Sequence, residues 1–284
     1  MSQPRDPCAW IGRSESQEDI LELARTWALQ ATLDDSGPGL RSGDPLPPLW
    51  HWVYFWQPAP TASLGPDGHA ARGGFLPPIA LPRRMWAGSR FRFEKPLLLG
   101  AKATRRSTVA SVEEKDGRSG RLAFVTVRHE FSDEAGGRVL EEHDIVYRSA
   151  PVQGAPSIAP EPAPPEAYAA PWHRELVPDA LLLFRYSALT FNGHRIHYDL
   201  AYVREVEGYS GLIVHGPLIA TLMAELVRRE RPRGVASRFA FRVRAPLFAG
   251  DRVVVAGAPD RAGAKLWMIG PGGRLVAEGE IAFA

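Results

Sequence analysis

The sequence predicts an α+β fold in which a helix packed against an antiparallel sheet occurs twice. Three observations lead there. Apolar residues alternate with polar ones at period two through 90–147 and again through 238–283, with tight turns between the runs. The two stretches also repeat each other: GGRVLEEHDIVY at 136–147 and GGRLVAEGEIAF at 272–283 agree at five of twelve positions without a gap. Finally, 217–230 places Leu218, Leu222, Met223, Leu226 and Val227 along one helical stripe.

Taken in order, residues 17–32 read as a first helix, with Ser16 at the N-cap, Asp19 in the first turn and Ile20, Leu23, Ala24, Trp27 and Ala31 at helical spacing. Asp34 to Pro38 ends it. An aromatic run follows at 49–56, then turn-rich chain to 89. Strands are expected at 90–95, 103–112, 122–131 and 139–147, joined by turns at Asp116-Gly117 and Gly136-Gly137. Residues 151–171 hold seven prolines in 21 positions and read as an extended linker. This divides the chain into 1–150, the linker 151–171, and 172–284. In the second half, 217–230 is the one long helix, its Arg-rich stretch 228–233 suits a helix C-terminus, and strands follow at 238–244, 252–258, 265–269 and 275–283. The strand motif RFRF at 90–93 with PLLLG at 96–100 is matched by RFAF at 238–241 with PLFAG at 246–250, in the same order. Internal duplication is therefore expected.

Composition narrows the function. The 284 residues carry 34 basic and 32 acidic side chains, a net charge of +2, which argues against nucleic acid as the main partner and leaves room for an anionic small ligand. No apolar run reaches the ~18 residues of a membrane span, and residues 1–10 lack the apolar core of a secretory signal. Cys8, the single cysteine, excludes an internal disulfide framework and any multi-cysteine metal site. A cytoplasmic protein without membrane partner is the expectation.

The densest polar cluster is FRYSALTFNGHRIHYD at 184–199, followed by GLIVHGP at 211–217; three of the eight histidines fall between 194 and 215. Three readings compete. His194 and His197 as zinc ligands lack helical i, i+4 pairing and an evident third ligand. As purely structural residues, Asn192 and His194 form a turn, His197 is a hydrogen-bonded core histidine, and Gly216-Pro217 opens a helix. In the third reading the site performs acyl-thioester chemistry. Pro217 suits the first helical turn, and the Gly216 N–H then stands unpaired at a positive dipole end, where an enolate oxygen is stabilised.

These residues resemble the signature of MaoC-like hot-dog hydratases. The 184–199 stretch is closest to the FAS1-like dehydratase branch, which includes mesaconyl-C4-CoA and itaconyl-CoA hydratases and the type 2 hydroxyacyl-thioester dehydratases. GGFLPP at 73–78 with LPRRMWAG at 81–88 resembles the same branch. The resemblance, which spans nearly the whole chain from about residue 17, implies a double hot-dog, two tandem halves each with a long helix wrapped by an antiparallel sheet. It implies that His197 is the catalytic histidine, that Asn192 stands where the motif has an acidic partner, and that His215-Gly216 is the motif's His-Gly pair. Asparagine cannot exchange a proton at neutral pH, so a second-base role is not available to it. The first half has no matching histidine near Leu33 to Ser36 and is expected to serve as a binding wall, with Trp50, Trp52, Tyr54, Trp56 and Trp86 lining an acyl passage or packing on the first helix.

The expected activity is a cofactor-free hydro-lyase that adds water to an α,β-unsaturated acyl-CoA thioester, with mesaconyl-C4-CoA and itaconyl-CoA as candidate substrates and a homodimer as the expected assembly. His197, with an ordinary pKa near ~6.5, is the expected base and proton donor. Asn192 positions the water, and Gly216 holds the enolate oxygen. Arg185, His194, Arg195 and His215 are the expected substrate-binding residues, the arginines toward an acyl carboxylate or the CoA phosphates. A hot-dog thioesterase and a non-catalytic acyl-thioester binder are the alternatives.

Overall fold

The structure is a computed structural model that describes residues 6–70, 73–117, 120–149 and 161–284. The first half contains β1 (Ser14–Ile20), α1 (Leu23–Thr32), β2 (Arg83–Lys95), β3 (Lys102–Gly117), β4 (Gly120–Asp133) and β5 (Arg138–Arg148). Next come the short helix α2 (Pro165–Tyr168), β6 (Trp172–Leu176), α3 (Ala180–Leu189), α4 (Leu200–Glu205) and α5 (Gly216–Glu230). The chain closes with β7 (Ala236–Val243), β8 (Val253–Pro259), β9 (Gly263–Ile269) and β10 (Leu275–Phe283).

The ten strands among the described residues all join one antiparallel sheet in the order β1-β3-β4-β5-β2-β7-β10-β9-β8-β6. Read inward from either edge, the two halves follow the same order, so the duplication seen in the sequence is a duplication of topology. The repeated segments fall on equivalent strands, β5 with β10 and β2 with β7. The last two pair across the centre, Phe91 facing Phe239 and Arg92 facing Arg238.

The expected α+β double hot-dog is present, and the halves differ in helix content. In the second half, α5 runs 15 residues against the sheet, and the predicted stripe Leu218, Leu222, Met223, Leu226 and Val227 is buried. In the first half, the described residues between α1 and β2 contain only 3-10 turns at Trp50–Val53 and Thr61–Ser63. The end of α5 ties the halves together. Buried Glu225 accepts from Trp50 Nε1 at 2.9 Å and from Arg228, which also pairs with Asp35 at 2.6 Å.

Several expected boundaries are corrected. Residues 14–20 form a strand instead of the start of a helix: they alternate exposed and half-buried along β3, and Asp19 accepts from Arg25 and the Phe55 N–H instead of capping. The helix begins at Leu23. β2 starts at Arg83, seven residues early, because a register shift between Trp86 and Gly88 breaks the period that marks a strand. The linker's residues 151–160 lie outside the described residues. Residues 161–171 are packed instead of free: Pro162 bridges to Arg274, and Ala163 and Ala167 are buried against Ala256, Trp267, Ile269 and Leu275. Small side chains let a Pro-rich segment lie flat on the sheet. The helix α3 also precedes α5, so 217–230 is the longer of two substantial helices in the second half.

Candidate active site

The 184–199 motif is divided among three elements. Phe184 to Leu189 complete α3, a turn carries 190–194, and a 3-10 turn at Arg195–His197 leads to α4. Phe191 takes a left-handed φ of 49°, and the Asn192 N–H reaches back to the Ser187 carbonyl at 2.8 Å. After α1, Asp34 (φ 51°) and the Asp35 N–H bond to Gln30 repeat this geometry. Asp35 is thus the first half's counterpart of Asn192, and its carboxylate is spent on Arg228. No histidine answers His197 there, as the sequence implied.

Asn192 Oδ1 accepts the His194 N–H at 3.0 Å, an Asx turn that sets the start of the 3-10 turn. His197 is 6% exposed. Its Nδ1 lies 2.7 Å from the Ile213 carbonyl, so Nδ1 must carry the proton and Nε2 is left with its lone pair. Burial pushes the His197 pKa down to about 4, against the ordinary value expected from sequence, and the imidazole is neutral at pH 7. His215 stacks on it at 3.5 Å between ring centroids and 18° between planes, and its Nε2 meets Ser187 Oγ at 2.8 Å. Burial and the neighbouring His197 hold His215 well below its usual range as well.

His215 is the residue before α5 and makes no side-chain cap there, so the Gly216 N–H has no hydrogen-bond partner among the described residues. Residue 216 meets the first half at van der Waals distance: a Cβ built on it would lie 3.4 Å from the Cβ of Trp86. The first half thus packs against the start of α5 through Trp86. Of the five aromatics singled out, only Trp86 abuts Gly216. Trp52 packs on Trp86, Trp50 binds Glu225, Tyr54 bonds Thr26 of α1, and Trp56 donates to the Leu189 carbonyl at the end of α3.

Trp86 is itself held by a buried polar network that sequence reasoning missed. Its Nε1 donates to Ser89 Oγ at 3.1 Å, Ser89 donates to Glu141 at 3.0 Å, and Trp52 donates to the same carboxylate at 3.2 Å. Glu141 is 1% exposed. Burial alone would raise its pKa, but the His51 contact and the charges His129 and His143 would carry bring it down to about 2. His143 stacks under Trp86 at 3.8 Å. The signal was available in the alternation of Val139, Glu141, His143, Ile145 and Tyr147, which sets the polar pair on the buried face of β5.

The expected binding residues separate. Arg195 is taken up by Asp199 at 2.7 Å and the Pro66 carbonyl at 3.0 Å, and its guanidinium lies over Tyr202. This clamps the loop 65–69 of the first half onto the catalytic loop, where Gly68 (φ 87°) approaches so closely that a Cβ would fall 2.0 Å from the Gly193 carbonyl oxygen. Arg185, on α3, makes no hydrogen bond or ion pair with the described residues. His194 packs on His69 at 4.1 Å and edge-on to His197 at 5.5 Å. Asp67, His69 and His194 bring ligand atoms within 4.8 Å of one another, a donor set suited in type to a divalent cation. Asp67 is already hydrogen-bonded to His69 through both its oxygens. Among the described residues the group that brings ligand atoms together takes His194 with Asp67 and His69 and does not include His197.

Known proteins resemble the chain over most of its length. A family model for hydroxyacyl-thioester dehydratase type 2 matches residues 49–249. The mesaconyl-C4-CoA hydratase of Chloroflexus aurantiacus is 50% identical over 245 residues, 86% of this chain and 85% of that protein. The mitochondrial hydroxyacyl-thioester dehydratase type 2 of Schizosaccharomyces pombe is 26% identical over 72% of this chain and 75% of its own length. A solved MaoC-like dehydratase structure shares the fold at a TM-score of 0.72 and 15% identity, covering 98% of this chain and all of that one. Among the described residues no helix is long and apolar enough to cross a membrane. With a neutral buried histidine, an unpaired helix-start amide and matches that span both halves, the chain belongs to the hydroxyacyl-thioester dehydratase type 2 family and is a hydro-lyase of acyl thioesters.

Proposed function

We propose that the protein hydrates an α,β-unsaturated acyl-CoA reversibly, with mesaconyl-C4-CoA as its substrate, through His197 as the single proton carrier. His197 Nε2 takes a proton from water as the oxygen adds to Cβ. The electron pair of the double bond moves to the thioester oxygen, which the Gly216 N–H receives at the positive end of α5. The imidazolium then returns its proton to Cα, so one water is added and no charge remains. An imidazole depressed to about 4 is a weak base but a strong acid once protonated, which suits rapid return of the proton to an enolate carbon. One group that both takes and returns the proton needs no second carboxylate, which is compatible with asparagine at 192. Asn192, its Oδ1 committed to the turn, offers Nδ2 to the water.

The observation that carries this reading is the stack of His197 on His215, adjoining the unpaired Gly216 amide. The choice of acyl group rests on the likeness to the Chloroflexus hydratase. The test follows loss of the enoyl-thioester absorbance with mesaconyl-C4-CoA and crotonyl-CoA while free CoA is assayed. Loss of absorbance without CoA release is expected. CoA release would establish a thioesterase instead, and no change with either substrate would leave a thioester binder.

A further inference from the structure

The geometry points to Arg84 as the receptor for a carboxylate carried by the acyl group on its β-carbon. The inference rests on the hydration reading above and names the residue that selects the substrate. Arg84 belongs to the LPRRMWAG stretch of β2, which the catalytic groups leave unused. β2 pairs with β7 only from Gly88 to Arg92, so residues 83–87 run past the end of β7 along a notch between the halves. The catalytic loop of the second half covers that notch. There Arg84 lines a small cleft with Met85, His194, Ile196 and Tyr209.

Among the described residues, the charges in this cleft are neutralised with one exception. Arg83 pairs with Glu207 at 3.3 Å and lies over Tyr209, and Asp67 is bonded to His69. Arg84 is half-buried, and its side chain makes no hydrogen bond or ion pair with the described residues. A guanidinium taken partly out of water without a partner is unfavourable unless an anion joins it. Its charge reaches both histidine groups, lowering the pKa of His194 on one side and of His143 on the other.

Position supplies the selectivity. Arg84 and Trp86 are two residues apart on one strand and share a face, about 6.6 Å apart along β2. Trp86 abuts Gly216, where the thioester oxygen is held. In mesaconyl-C4-CoA the carboxylate sits across one carbon–carbon double bond from the thioester carbonyl, so its receptor must lie one side-chain step from the oxyanion donor. The CoA phosphates lie at the far end of the pantetheine arm and do not satisfy this spacing. Arg195 is committed to Asp199, and Arg185, on α3, does not line the cleft that holds Arg84. A guanidinium in this position can receive the carboxylate through two parallel N–H donors.

The test uses a matched pair, mesaconyl-C4-CoA and 3-methylcrotonyl-CoA, which differ only in whether a carboxylate or a methyl group stands on Cβ. The quantity read is the ratio of kcat/KM for the two, which does not depend on how much of a variant folds. Wild type is expected to favour mesaconyl-C4-CoA, and Arg84→Met to lower the ratio about 10- to 150-fold. Arg84→Lys, which keeps the charge but not the bidentate fork, should fall between them and serves where the methionine variant yields no protein. Arg185→Met should leave the ratio where it was. A wild-type preference that Arg84→Met retains overturns the role of Arg84 while the hydration of mesaconyl-C4-CoA stands. A wild type that hydrates both equally overturns the carboxylate receptor altogether. Hydration of neither substrate overturns the proposed function and this inference with it.

Discussion

Lowering the pH from 7 to 5.5 should destabilise the protein by several kcal/mol, because its interior histidines are held neutral. Burial pushes His129 down to about 3 and His143 and His197 down to about 4. In the unfolded chain each imidazole protonates near ~6.5. Between about pH 6.5 and 4 the unfolded state therefore binds protons that the native state refuses. Stability rises with pH across that window and is lost as pH falls through it. Integrated from pH 7 to 5.5, each group costs about 1.2 kcal/mol, so these three together cost about 4 kcal/mol. His194 and His215 are depressed in the same sense and add to the loss. Against a total stability on the order of 5–15 kcal/mol, this is a large fraction. Urea unfolding followed by tryptophan fluorescence at the two pH values measures the difference. His143→Leu should recover about 1 kcal/mol of it, since one refused proton is removed. Stabilities that agree within about 1 kcal/mol at the two pH values would refute the reasoning, because the histidines would then be solvated or already charged.

Three further outcomes bear on the site. His197→Ala should lower kcat by about 10²–10⁴ with KM within a few-fold, and a variant that keeps more than about a tenth of the wild-type kcat would remove His197 as the proton carrier. Asn192→Asp should keep activity or change its pH profile, since one aspartate oxygen accepts the His194 N–H and the other accepts from the water where Nδ2 donated to it, whereas Asn192→Leu should lose most of it; equal activity of Leu and Asn would make the residue dispensable. Arg195→Met should lower Tm by about 2–4 °C without changing the order of substrate preference, because it frees the 65–69 loop from the catalytic loop. A changed preference with an unchanged Tm would return Arg195 to substrate binding.

The sheet was legible where side chains alternate and opaque where a local constraint overrides alternation. The strands from Val139 and Leu275 read correctly because one face of each is buried. Ser14 to Ile20 failed because an edge strand with few apolar residues has no face to reveal, and its Asp19 and Ile20 fit a helical start equally well. The candidate site was legible because its residues are near one another in sequence: His197 stacks on His215, which Gly216 follows. What sequence could not show was long-range charge pairing. Arg195 finds Asp199 four residues on, but its second partner, the Pro66 carbonyl, lies in the other half. Glu141 was hidden by the ordinary expectation that a carboxylate faces water.

The difference between the halves follows from what fills each concave face. Aligning the repeats sets Glu141 opposite Ala277 and His143 opposite Gly279. Ala277 is fully buried, and a Cβ at Gly279 would fall 3.1 Å from Met223 Cε and 2.7 Å from the Ala240 carbonyl oxygen. At 279, where Met223 of α5 packs on β10, there is no space for a larger side chain. In the first half the turn at Trp50–Val53 lies over the corresponding strands, and the sheet has room for a carboxylate and two imidazoles. That room is used to fix Trp86, which in turn closes on the start of α5. The helix-filled half thus presents the amide and the histidine, and the half with the polar interior presents the surface they work against. Neither half contains both among the described residues, so the proposed reaction site is assembled at the β2–β7 junction where the two repeats meet.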